Sequence, residues 1–496
     1  MLVDSAALTT SGALGGVAEA FVVHEIGSSS IVTLSFTDPA QRKSETATDS
    51  LFLGPTVSAS SITGIPASPT DSGPSSTRPS SKESSSTGAE ATFPRSGAVD
   101  LSLLPKLGGS ALLTQLGMLP TDDLAAFVKS NPAAIHRLVV NPPRAASVSR
   151  WWTGLSSSEQ LKFAASAPEL AGNLEGLPFS VRDSANRVAL RSEITAAKKS
   201  VNVGAGRGSL VSSKHHLEIL KQIQRTLHTT KSEPNRQLMT FDPSGDGRAA
   251  VVVGDITKAD YVSYLVPGMF FTVQGQMYDW TVIAQDLQQQ QTSWLKRLAT
   301  TDASYQGKTA ATVAWIGYST PGVLDITSLT RADAGAGFLG NAVQGVKAAR
   351  HGAEPYVTVI GHSYGSTTAM VELAKGGISV NALALIGSPG AAAQSASQLS
   401  VANDNVYVGE AELDPIVNTA FYGSDPGAAS FGAHKMDVSG TTDAITHKKL
   451  SAAVGHLGYF DPGSEAMRNL ALIGLGKGSL VTDGSQADAT RTLASR

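Results

Sequence analysis

The run Gly361-His362-Ser363-Tyr364-Gly365 holds a serine between two glycines at the spacing Gly-x-Ser-x-Gly. A serine hydroxyl attacks a carbonyl carbon only when a base takes its proton and the backbone presents it at the top of a sharp turn. The two glycines answer the second need, because a tight strand-to-helix turn leaves no room for a β-carbon on either side. No other match to this spacing occurs in the chain. It follows residues 356–360, Tyr-Val-Thr-Val-Ile, which suit a strand buried on both faces, and precedes a helical run over 366–374 closed by Gly376 and Gly377. The plain alternative is a surface serine in an ordinary strand-to-helix loop.

Such a serine needs a base, and the base needs a group to orient it. In α/β-hydrolase elbows the acid follows the nucleophile along the chain and the histidine comes last. After residues 405–408, which read as a strand, comes the acidic loop Gly409-Glu410-Ala411-Glu412-Leu413-Asp414-Pro415. Asp414 is the preferred acid, with Glu410, Glu412 and Asp425 as rivals and a solvated loop carboxylate as the plain reading. Three histidines follow. His434 lies within a strand-like run, 433–438, and His447 stands beside Lys448 and Lys449 on what reads as a solvated face. His456 occupies a glycine-bracketed loop, Gly455-His456-Leu457-Gly458, just before the last helix, and is the preferred base.

Acyl transfer also requires donors for a developing oxyanion. The backbone N–H of Tyr364, which opens the helix, supplies one. That of Met269, in the loop Pro267-Gly268-Met269-Phe270-Phe271, supplies the other, with Gly268 permitting a close approach. The same loop, with Trp280, Tyr364, Phe421, Tyr459 and Phe460, is expected to line an apolar acyl or alcohol pocket, although such aromatics are more often core.

Positioning these groups takes a sheet. Residues 249–253, 261–266, 310–316, 356–360, 380–386 and 405–408 read as strands and 433–438 as a further one, while 278–298 and 334–350 are helical runs long enough to be crossovers. The alternation predicts an α/β fold with an open, doubly wound, mostly parallel sheet. Residues 462–473 read as a final helix capped by Asp461. Upstream, helix-start signals accumulate: Thr121 before Asp122 and Asp123, Asn131 before Pro132, and Ser156 with Glu159 three residues on, a capping box. Longer helices are expected over 180–199 and 213–228. Residues 54–94 collapse to Ser, Thr, Pro and Gly, with too little apolar surface to offset chain entropy, and read as a disordered linker. Before them, 21–23 and 31–36 read as short strands without a core to join.

Composition narrows the partners. A chain of 496 residues with formal net charge −3 and no cluster of five or more Lys or Arg is poorly suited to nucleic acid. The most apolar stretch, 6–23, carries Thr9, Thr10, Ser11 and Glu19, which argues against a membrane helix, and it lacks the basic start of a signal peptide. With no cysteine, disulfides, thiolate metal sites and a Cys nucleophile are excluded, while localisation stays open. Three motif fragments point elsewhere and fail. Gly335-Ala336-Gly337-Phe338-Leu339-Gly340 matches a dinucleotide fingerprint but sits inside a helical run. Gly307-Lys308-Thr309 ends like a phosphate loop that begins wrongly at Asp302. Asp242, Ser244 and Asp246 open like a calcium loop that ends at Val253 instead of a glutamate.

Over residues 151–472 the chain resembles the uncharacterised actinobacterial α/β-hydrolase family. The likeness is carried by Trp151-Trp152 with Leu155-Ser156, by Gly172-Asn173-Leu174-Glu175-Gly176-Leu177-Pro178 with Arg182-Asp183, by Val266-Pro267-Gly268-Met269, by Gly361-His362-Ser363-Tyr364-Gly365-Ser366, and by Gly455-His456 with Tyr459-Phe460-Asp461-Pro462-Gly463. It implies a serine-hydrolase fold with Ser363, Asp414 and His456 as a triad, no metal and no organic cofactor. It implies no substrate.

The chain is therefore expected to divide into a low-complexity, largely disordered region (1–98), a helical region serving as lid or cap (99–240), an α/β-hydrolase domain (241–480) and a disordered tail (481–496). The expected reaction is hydrolysis of a small-molecule carboxylic ester through an acyl-enzyme, with thioester or amide hydrolysis as chemical alternatives. The rival is a non-catalytic hydrolase-fold scaffold that binds a partner, with the linker as tether. Nucleophile, acid, base and both oxyanion positions can all be filled in order, which favours the enzyme.

Overall fold

The computed structural model describes residues 6–10, 18–26, 29–37, 99–202, 206–322 and 325–485. The 54–94 linker and most of the 481–496 tail lie outside the described residues, and with them the expectations of disorder there. Near the start, β1 (Ala6–Thr10), β2 (Ala18–Ile26) and β3 (Ser29–Thr37) form an antiparallel three-stranded sheet, so the two short strands expected there are longer and pair with each other.

A helical region follows: α1 (Gly109–Met118), α2 (Thr121–Ser130), α3 (Pro132–Val140), α4 (Ala145–Thr153), α5 (Ser157–Ser166), α6 (Pro168–Asn173), α7 (Phe179–Asn202) and α8 (Arg207–Thr226). The capping box at Ser156 is formed, with its side chain accepting from the Glu159 amide and the Glu159 carboxylate accepting from the Ser156 amide. Thr121 lies one residue inside α2, whose cap position is Pro120. Apolar residues including Leu112, Leu116, Ile135, Trp152, Phe163 and Leu170 give this region a core of its own.

The main sheet comprises β4 (Arg236–Asp242), β5 (Arg248–Val253), β6 (Tyr261–Val266), β7 (Ala310–Ile316), β8 (Tyr356–His362), β9 (Ala382–Ile386), β10 (Val406–Gly409) and β11 (His434–Lys435). They lie in the order β11-β10-β9-β8-β6-β7-β5-β4. The strands from β6 to β11 pair parallel, while β5 joins β7, and β4 joins β5, antiparallel. Helix α9 (Val273–Leu298) links β6 to β7, α10 (Thr330–Ala349) links β7 to β8, and α11 (Tyr364–Ala374) links β8 to β9. Every residue of β5, β7 and β9 is buried, as strands covered on both faces require. Trp280 and Leu287 of α9 pack on one face with Met467 and Leu470 of the final helix α12 (Glu465–Ile473), and Leu339, Val343, Met370 and Leu373 of α10 and α11 pack on the other. The cap of α12 is Ser464, which accepts from the Met467 amide at 3.1 Å, and not the expected Asp461. Gly463 intervenes at φ 80°, and the helix begins only after that left-handed turn.

Sequence periodicity missed β4, and its surroundings say why. It is the edge strand, with no further strand beyond it among the described residues, and side chains of the helical region take that place. Asn173 donates to the Phe241 carbonyl at 2.8 Å and accepts from the Phe241 amide at 2.9 Å, Asp183 accepts from the Leu238 amide at 2.7 Å, and Asn186 donates to the Leu238 carbonyl at 2.8 Å. Helix α4 meets α10, where Ala145 donates to Asn341 at 3.2 Å, and α8 lies against α9. The helical region thus docks mainly on the β4 edge, α9 and α10. These contacts give its polar side chains a strand edge to satisfy.

Candidate active site

Ser363 stands at the end of β8 with φ 54° and ψ −132°, a conformation that few non-glycine residues adopt and that surrounding structure must hold. Its neighbours leave no space for anything larger. A β-carbon at Gly361 would lie 2.6 Å from the Ser366 Cα, one at Gly365 2.3 Å from the Val266 carbonyl oxygen, and one at Gly268 2.5 Å from the Ser363 Cβ and 2.9 Å from its Oγ. The loop 267–271 therefore lies directly against the serine, with Met269 next in line. The Ser363 amide donates to the Ile386 carbonyl at 3.0 Å, and the Ser363 Oγ is buried without a protein hydrogen-bond partner.

His456 and Asp414 meet although they are 42 residues apart. The His456 Nδ1 lies 2.9 and 3.0 Å from the two Asp414 oxygens. A carboxylate only accepts, so Nδ1 carries a proton, and in the neutral ring the lone pair is left on Nε2. The two loops are joined by a parallel bridge between Glu412 and Val454, extended by the Gly455 amide donating to the Glu412 carbonyl at 2.8 Å. Gly387 seals the junction to the elbow: a β-carbon there would lie 2.9 Å from an Asp414 oxygen and 3.1 Å from the His456 ring, and Gly387 follows the residue that binds the Ser363 amide. Burial pushes the Asp414 carboxyl up, but the hydrogen bond and charge of His456, the Tyr459 hydroxyl and the Ile416 amide together hold it below the ordinary carboxylate value.

The rivals are elsewhere. His434 and His447 are exposed, as is Glu412. Glu410 is half-buried and pushed up by burial and by Asp425, opposite to what an ionised orienting group needs. The aromatic pocket expected around the site is also redistributed. Trp280 is fully buried and donates to the Leu265 carbonyl at 3.1 Å, and Phe460 packs edge-on against it with ring centroids 5.1 Å apart. Tyr364 is buried as well, its hydroxyl donating to the Ser328 carbonyl at 2.7 Å. Phe421 alone of the expected aromatics is exposed.

Two residues have contacts that sequence reasoning did not assign. Tyr459, fully buried, donates to Asp414 at 2.6 Å and accepts from the Ala411 amide at 2.9 Å, so its hydroxyl holds Asp414 in place. His362 donates its Nε2–H to the His456 carbonyl at 2.7 Å, and the two rings lie 4.6 Å apart. Burial and the neighbouring His456 lower the His362 ring to about 3, which keeps it neutral near pH 7. Its place beside Ser363 in the motif was the available signal. The rejected motif fragments have structural explanations. Gly335 and Gly340 lie within α10 against Tyr318 and Glu372, Lys308 binds Asp260 at 2.8 Å, and Asp242 binds Arg248 at 2.7 Å.

Sequence comparison agrees with this fold. Residues 242–424 match the sequence model of a family described as Alpha/beta hydrolase. The uncharacterized protein Rv2079 of Mycobacterium tuberculosis is 29% identical over 395 residues, covering 69% of this chain and 57% of that protein, so the chain spans little more than half of this relative. The uncharacterized protein Rv0963c of the same species is 30% identical over 236 residues, covering 47% of this chain and 85% of that protein. Among solved structures, an arylesterase aligns with TM-score 0.32 and 9% identity over 59% of this chain and 98% of its own. Carboxyl esterase 2 of Tuber melanosporum aligns with TM-score 0.29 and 10% identity over 51% and 89%.

Proposed function

This chain belongs to the actinobacterial α/β-hydrolase family that includes those uncharacterised mycobacterial proteins, and from that premise we propose that it is a serine hydrolase cleaving carboxylic esters through an acyl-enzyme. The observation that carries the reading is the Asp414–His456 pair, with Nδ1 protonated and Nε2 free, beside a buried serine on a strained elbow. As substrate binds, the Ser363 hydroxyl comes within reach of the His456 Nε2 and gives up its proton while Oγ attacks the ester carbonyl carbon. The amides of Tyr364 and Met269 receive the oxyanion. Collapse breaks the bond to the alcohol oxygen, which leaves with the proton from His456. Water, deprotonated in turn by His456, then releases the acid and restores Ser363. Asp414 keeps the imidazole in the tautomer that accepts at Nε2 and stabilises the imidazolium.

A fluorophosphonate probe tests this directly. Native protein should be labelled and Ser363→Ala should not. Equal labelling of both would place the nucleophile elsewhere, and no labelling of either, with the circular dichroism spectrum intact, would favour a binding scaffold.

A further inference from the structure

Among the described residues of the hydrolase portion, large apolar side chains are exposed in one stretch. Among the described residues from Arg236 onward, the exposed large hydrophobic side chains are Leu413, Phe421, Ile445 and Val454, all within the chain that runs from the acid loop to the base loop. Scattered exposed apolar residues are ordinary, so their placement is what matters. Leu413, 55% exposed, immediately precedes Asp414, and Val454, 48% exposed, is bridged to Glu412 two residues before His456. Phe421, 56% exposed, packs edge-on against Tyr422 at 4.8 Å, which packs against Tyr364 at 5.3 Å, next to Ser363. The same segment is strained: Leu413, Asn418 and Ala420 all have positive φ, and for leucine this is uncommon.

Charge gives a second, independent observation. No lysine or arginine occurs from residue 376 to 434 or from 450 to 467, and none in the loop 267–272, while Glu410, Glu412 and Asp425 flank the acid. Arg331, at the start of α10, is held by Asp325 at 3.0 Å. Phosphate-bearing acyl carriers are recognised by arginine and lysine, which these segments lack. We infer that the substrate is an uncharged ester with a medium or long acyl chain, whose methylenes lie on Leu413, Phe421 and Val454. This rests on the ester-hydrolase reading above.

The test uses the full chain with p-nitrophenyl acetate and octanoate, and with octanoyl-CoA against the neutral S-octanoyl-N-acetylcysteamine, which presents the same thioester bond. A buried methylene is worth about fourfold, so partial cover of six more should raise kcat/KM for octanoate over acetate by at least about tenfold. In the triple variant Leu413→Ser/Phe421→Ser/Val454→Ser that ratio should fall toward one; being a ratio on one enzyme, it does not depend on the fraction folded. The neutral thioester should outpace octanoyl-CoA by at least about tenfold. A flat acetate-to-octanoate ratio, a ratio unchanged in the triple variant, or equal turnover of octanoyl-CoA would overturn the inference while Ser363-dependent hydrolysis left the ester reading standing. Turnover no faster than that of Ser363→Ala would overturn both.

Discussion

Asp414 and Glu175 are both buried carboxylates with a basic side chain as partner, yet they are displaced in opposite directions from the ordinary carboxylate value. Asp414 gathers the His456 Nδ1–H, the Tyr459 hydroxyl at 2.6 Å and the Ile416 amide at 2.9 Å, and these together outweigh its burial. Glu175, also buried, meets Arg182 alone, whose Nη2 lies 2.6 Å away; there burial wins and the carboxyl is pushed up. Arg182 is shared, since it also donates to the Gly172 and Met239 carbonyls and so pins the helical region to the β4 edge. One network is arranged around a charge that a histidine uses, the other around unpaired backbone. Burial of a charge therefore does not by itself mark a reactive site; the number and kind of donors aimed at it do.

The largest expected effects separate the two networks by what they damage. His456→Ala should lower kcat by about as many orders of magnitude as loss of Ser363, and Asp414→Asn by about ten-thousand-fold with KM little changed, because in the proposed triad serine, histidine and acid act as one unit. Urea unfolding should find both variants folded. Arg182→Met should do the reverse, costing about 3–5 kcal/mol of stability by leaving Glu175 without its partner, with kcat per folded molecule within about twofold of native. The double variant Arg182→Met/Glu175→Leu should recover most of that loss. Silencing of folded Arg182→Met enzyme would join the two networks and end the comparison.

What was legible in the sequence follows the same division. The central strands announce themselves because both faces are buried, so β5, β7 and β9 are apolar runs interrupted only by Arg248 at the start of β5 and Thr312 in β7. The strand β4 does not, since its free edge is completed by Asn173, Asp183 and Asn186 from a distant part of the chain, and no local period records that. Ser363 is marked by glycines that sterics alone demand. Asp414 and His456 follow from chain order, but the Glu412–Val454 bridge that brings them together is a tertiary event. For Tyr459, a buried ring and a pocket wall look alike in sequence, and only the hydroxyl's two partners tell them apart.

A smaller effect sharpens the view that donors define the site. Tyr459→Phe keeps the ring and removes the hydroxyl that fixes one Asp414 oxygen, so the imidazole is aimed less well and kcat should fall by about tenfold while KM stays nearly constant. A carboxylate relieved of one donor is a stronger partner for imidazolium. The acid limb of the kcat/KM profile should accordingly move to higher pH, a shift that looser packing alone would not give. An unmoved limb with reduced kcat would reduce Tyr459 to a packing residue.

The smallest expected effect is on the pH dependence of stability, and its sign differs between the two carboxylates. Asp414 is depressed in the folded protein, so the unfolded chain binds its proton more tightly. Its contribution is fully present above the unfolded value, about 3.9, and is lost as pH falls through the folded one. Glu175 is raised, so the folded protein binds that proton more tightly. Its ionisation costs stability above the folded value, and the cost is relieved as pH falls through that value toward the unfolded one, about 4.3. Relative to native protein, Asp414→Asn should therefore flatten the fall in urea midpoint between pH 7 and pH 3, and Glu175→Gln should steepen it, each by no more than about 1.4 kcal/mol per pH unit, the limit for one proton. Urea midpoints of the three proteins across that range decide the matter: if both substitutions change the slope in the same direction, the two carboxylates are not held in opposite senses.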